Sequence, residues 1–69
     1  GYALTLFMEP SPGRNVSYHI YNVSGQLVQE GKLAWSSREQ EVLVHSLTPG
    51  LYILSLDLDE PRRLRFMKN

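Results

Sequence analysis

The sequence predicts an all-β fold, a small sandwich of short antiparallel strands, and three observations carry that prediction. Short runs rich in branched and aromatic residues recur at close, regular spacing. Gly, Pro and Asn turn signals separate them. No stretch shows a helical period; a helix has room only around Ser36 to Gln40, and the flanking pattern argues against it.

The first strand is expected over Tyr2 to Met8, apolar apart from Thr5. Pro10-Ser11-Pro12-Gly13 ends it, because two prolines remove two backbone donors and the glycine frees a turn. Asn15 to Tyr21 alternates, with Val16, Tyr18 and Ile20 on one face and Ser17, His19 and Tyr21 on the other. Asn22-Val23-Ser24-Gly25 reads as a hairpin turn in which Gly25 supplies the permissive φ. The return strand runs from Gln26 to Glu30, and Gly31 reads as a bulge or a strand end.

Lys32 to Arg38 is ambiguous: Leu33 and Trp35 share a strand face, or Trp35 lies over one rim of the sandwich. Glu39 to His45 resumes alternation, with Val42 and Val44 against Glu41, Leu43 and His45. Pro49-Gly50 predicts a type II turn, since proline presets φ at its second position and glycine accepts the positive φ at its third. Leu51 to Leu56 follows with two mainly apolar faces, the pattern of a central strand covered on both sides. Asp57 to Pro61 is a polar turn. In the last strand, Arg62 to Lys68, Leu64 and Phe66 face inward and Arg63, Arg65 and Met67 outward.

Composition bounds function. The chain has 69 residues, hence a single domain, and seven basic against seven acidic residues give a net charge of zero. That balance excludes the broad basic stripe of a nucleic-acid binder. No apolar run reaches the roughly 18 residues of a membrane helix. With no cysteine, neither a disulfide nor a cysteine-type zinc site is available, so packing alone must hold the core. A start at Gly1 rather than Met reads as a piece of a longer protein.

Candidate chemistry is sparse, and no cofactor is implied. His19 and His45 fall on expected strands without a second ligand at metal spacing. Asp57, Asp59 and Glu60 form an acidic turn, for which a solvated hairpin tip is a better reading than calcium. Asn15-Val16-Ser17 and Asn22-Val23-Ser24 fit the glycosylation pattern, but both asparagines read as strand and turn residues. No serine has a base placed to activate it, and no catalytic residue is nominated. The cluster Arg62, Arg63, Arg65 and Lys68 either protects an edge strand from aggregation or meets an acidic partner.

Several motifs, in order, resemble one family along nearly the whole chain. They are Pro10-Ser11-Pro12-Gly13, then Val16 to Val28 with its Tyr21-Asn22-Val23-Ser24-Gly25-Gln26 hairpin, then Leu47-Thr48-Pro49-Gly50-Leu51-Tyr52, and the closing Arg65-Phe66-Met67-Lys68-Asn69. Together they resemble the C-terminal sorting domain of proteins exported by the type IX secretion system of Bacteroidetes. Met8-Glu9-Pro10 and Gln26 depart from the family pattern, which has an asparagine-bearing turn and often an arginine at those places.

The resemblance implies an immunoglobulin-like sandwich of about seven strands that acts as an address, not as an enzyme; the parent protein in this family is commonly a protease. Its implied partners are the outer-membrane translocon, a shuttle protein and a sortase, with passage through the periplasm to the outer membrane, the cell surface or the medium. Partner recognition maps by motif onto Gly50, Tyr52, Arg65, Phe66 and Lys68, and turn integrity onto Gly25 and Pro49. A dimer through edge strands is a further expectation. The alternatives are a retained component of the export machinery, a structural β domain, and a carbohydrate- or surface-binding module stacking sugars on Trp35, Tyr18 and Tyr21. The last is disfavoured because alternation sends Tyr18 and Tyr21 to opposite faces.

Overall fold

The structure, a computed structural model, describes residues 3–69; Tyr2, expected in the first strand, lies outside them. Six strands follow in order: β1 (Ala3–Phe7), β2 (Arg14–Asn22), β3 (Leu27–Trp35), β4 (Glu39–Leu43), β5 (Gly50–Leu56) and β6 (Arg62–Lys68). They form two antiparallel layers, a four-stranded sheet in the order β3-β2-β5-β6 and a two-stranded sheet β1-β4. The fold is all-β, as the sequence predicts.

Six strands replace the expected seven because β3 does not stop at Gly31. That glycine sits in mid-strand opposite Tyr18, and a Cβ built on it would lie 2.9 Å from the Tyr18 ring. The missing side chain makes room for an aromatic ring rather than ending a strand. The register slips instead between Ile20 and Tyr21, which pair with Gln29 and Leu27 across a bulge at Val28. Leu27 and Gln29 therefore point to opposite faces.

Alternation decides the core. Val16, Tyr18 and Ile20 of β2, Leu33 and Trp35 of β3, and Tyr52, Leu54 and Leu56 of β5 bury one face of the larger sheet. Leu6, Val42, Val44 and Leu47 meet them from the smaller layer and the segment after it. Trp35 is 1% exposed, so it belongs to the core and not to a rim or a sugar platform. Its indole N–H finds no acceptor among the described residues.

β5 is central by pairing, between β2 and β6, but only one of its faces is covered. Leu51 is exposed, and Ile53 and Ser55 are half-buried on the outer side. The smaller layer is also too narrow for the larger one. β4 stands beside β3, where the Gln29 side-chain amide donates to both the Leu43 carbonyl (2.7 Å) and the Tyr18 hydroxyl (3.0 Å). At the far side Leu64 of β6 faces the core opposite fully buried Leu54, yet it remains 42% exposed. Among the described residues, nothing in the second layer packs over it.

Candidate functional site

The end of the larger sheet where β2 and β6 finish and β5 begins gathers most of the residues singled out from the sequence. Three chain segments meet there: the Asn22–Gln26 turn, residues 44–49, and the last residues of β6.

The Asn22–Gln26 turn is organised by one side chain. Asn22 Oδ1 accepts from the backbone N–H of Ser24 and of Gln26, each at 3.0 Å, and its Nδ2 donates to Gln26 Oε1 at 2.9 Å. The Gly25 N–H reaches the Asn22 carbonyl at 3.0 Å, and Gly25 adopts φ +85°, a conformation that disfavours a Cβ. Gln26 thus closes the turn with its own side-chain amide and backbone N–H.

Residues 44–49 differ from the expectation. The hydrogen-bonded turn is Val44 to Leu47, closed by Leu47 N–H to the Val44 carbonyl (3.1 Å), so His45 lies in a turn and not on a strand. Pro49 is a bend, and Gly50 opens β5 at φ +157°, far from the roughly +80° that a type II turn places there. A Cβ at Gly50 would make only ordinary contact with the Tyr52 ring at 3.8 Å, so backbone conformation and not space favours glycine.

Tyr52 secures this corner from inside. Its hydroxyl donates to the Thr48 carbonyl, and the Thr48 hydroxyl lies 3.2 Å from the Tyr52 hydroxyl oxygen. Its ring, buried, stacks on Phe66 of the neighbouring strand at 5.6 Å between centroids and 25° between planes. Lys68 completes the corner, paired with Gly50 across the ladder. The sequence places its charge on display, and the structure corrects this. Lys68 shares the inward parity of Leu64 and Phe66, is 7% exposed, and donates from Nζ to the carbonyls of Leu47 (2.6 Å) and His45 (3.0 Å).

Gly50, Tyr52, Phe66 and Lys68 are therefore one packed unit. Arg65 stands apart, exposed on the outer face opposite Ile53. Thr48 and the two carbonyls that hold Lys68 were missed from sequence, since a main-chain acceptor leaves no mark in residue identity. Arg62 and Arg63 stand with Arg65: the guanidinium groups of all three form neither an ion pair nor a hydrogen bond among the described residues. The ion pairs seen lie elsewhere, at Arg14–Asp59 (3.5 Å) and Arg38–Glu9 (3.1 Å), and His19 Nε2 lies 3.4 Å from a Glu30 carboxylate oxygen. No cluster of three potential metal ligands occurs among the described residues.

Comparison with known proteins adds one match. Residues 3–64 match the family described as the secretion system C-terminal sorting domain, a match that runs from β1 into β6 and stops before Arg65. No curated protein and no solved structure matches the chain. The chain belongs to the family of secretion system C-terminal sorting domains.

Proposed function

We propose that, as a member of that family, this domain is the label by which the type IX outer-membrane translocon, its shuttle and its sortase select the parent protein. Export through the periplasm, and then attachment at the cell surface or release, would follow from that selection. The observation that carries the reading is the position and charge of β6. It is an edge strand, paired only with β5, and its arginines have no partner within the described residues. An edge with free backbone groups is a template for strand addition, in which main-chain hydrogen bonds supply affinity and alternate side chains supply choice.

In this reading Gly50, Tyr52, Phe66 and Lys68 hold the corner in the shape that a partner meets, and Arg65 offers a side chain to it. Gly25 and Pro49 keep the flanking segments in place. A carbohydrate-binding role gains nothing from the geometry, because Trp35 is enclosed in the core.

The test is export of a fluorescent reporter fused ahead of residues 1–69 in a type IX-competent cell. Secretion of the reporter supports the label. Glycan binding without secretion would replace it with the adhesion reading. Single proline substitutions over residues 63–67 then test strand addition: a folded variant that is exported as well as the parent would remove it.

A further inference from the structure

The chemistry of the segment that would add to β6 can be read from both faces of that strand. Four of the chain's seven basic residues, Arg62, Arg63, Arg65 and Lys68, lie in this one strand, which has no carboxylate of its own. Lys68 is turned inward onto carbonyls, and that leaves three arginines exposed. Arg63 and Arg65 share the outer face, opposite Ser55 and Ile53. Two residues apart on a strand, they repeat at about 7 Å. Between them, on the other face, stands Leu64, directed toward the core but not covered by the smaller sheet.

We infer that the free edge of β6 receives an extended segment of another protein in which carboxylate and apolar side chains alternate. Residues directly opposite each other on paired strands share a face and lie within contact of one another. Carboxylates opposite Arg63 and Arg65 would thus fall on the outer face, and the residue between them would fall beside Leu64. An apolar side chain there extends the core over the uncovered leucine. A second copy of this chain fits poorly: two β6 strands paired antiparallel about Leu64 set Arg63 against Arg65 twice, and like charges directly opposite are unfavourable.

This inference rests on the strand-addition reading above and deepens it by naming the partner's chemistry. Two alternating nonapeptides, Glu-Val and Lys-Val, serve as probes for the 69-residue chain, with backbone amide shifts recording where each binds. The Glu-Val peptide is expected to shift β6 amides and to weaken as salt rises. The double variant Arg63→Glu/Arg65→Glu should lose about tenfold in affinity, or about 1.4 kcal/mol, and should instead accept the Lys-Val peptide. Both arginines are exposed and their side chains make no ion pair or hydrogen bond among the described residues, so the variant's melting curve should stay close to that of the parent.

Equal binding of the two peptides overturns the inference. So does binding of Glu-Val at β1 or β3, equal competition by polyglutamate of the same length, or self-association of the chain that β6 substitutions abolish. The sorting reading fails separately: a reporter that stays in the cell while Glu-Val still binds β6 removes the label and leaves the docking chemistry. A double variant exported normally that binds both peptides alike removes the docking chemistry alone.

Discussion

Replacing Lys68 with methionine keeps most of the side chain's volume and deletes its charge, so it isolates what the ammonium contributes. Two carbonyl oxygens, of His45 and Leu47, lose their donor. Hydrogen bonds to a charged group contribute about 1.5–3 kcal/mol each, which sets an upper range of about 3–6 kcal/mol for the pair. His45 is exposed, so water takes over its carbonyl once the ammonium has gone, and only the buried Leu47 bond keeps its full cost: about 2–3 kcal/mol. A domain of this size holds only about 3–10 kcal/mol in all. With about 4–8 °C lost per kcal/mol, Lys68→Met should melt about 10–20 °C below the parent.

Circular dichroism during heating and urea denaturation measure this directly. Arg65→Met is the control: an equally basic residue, three positions earlier and exposed, whose loss should change stability by no more than about 0.5 kcal/mol. Hydrogen exchange should quicken at Gly50 and Lys68, which face each other in the ladder. If Lys68→Met melts within about 3 °C of the parent, or if the two variants shift alike, the ammonium does not hold the corner and the argument fails.

Tyr52→Phe keeps the ring stack but removes the hydroxyl that binds Thr48, and denaturant titration should show a loss of about 0.5–1.5 kcal/mol. Gly31→Ala drives a methyl group to 2.9 Å from the Tyr18 ring and disturbs the Tyr18–Gln29 hydrogen bond; overpacking of this kind should destabilise by about 1–3 kcal/mol in the same titration. Gly25→Ala meets no neighbouring atom within 4 Å, so its deficit, about 1–2 kcal/mol, should come wholly from the φ of +85°. Gly25→Asn, which tolerates that conformation better, should recover part of it. Asn22→Ala removes an acceptor used by two backbone N–H groups, and those of Ser24 and Gln26 should then exchange with solvent faster.

Much of the fold was legible because period-two patterning in β2 encodes burial directly. Val16, Tyr18 and Ile20 share one buried face as their alternation predicts, whereas β5, apolar on both faces, buries only Tyr52, Leu54 and Leu56. What escaped depends on partners far away in the chain. Gly31 carries the signature of a break, and only its register opposite Tyr18 shows that it serves as a seat for a ring. Lys68 follows the inward parity of Phe66, but a terminal lysine reads as solvated until acceptors appear, and here these are main-chain atoms of residues 45 and 47. The two apolar faces of β5 suggested cover on both sides; with two sheets in the fold, the second layer can pack against only one of them.

The pairing order has a mechanical meaning. Among the described residues the first and last strands each pair with one neighbour, β1 with β4 and β6 with β5, whereas β2 lies between β3 and β5. Tension applied at either terminus therefore peels away an outermost ribbon and leaves the β3-β2-β5 trio zipped together. Handled by its tail, the domain would yield in steps, with the Lys68 clasp as the first to let go.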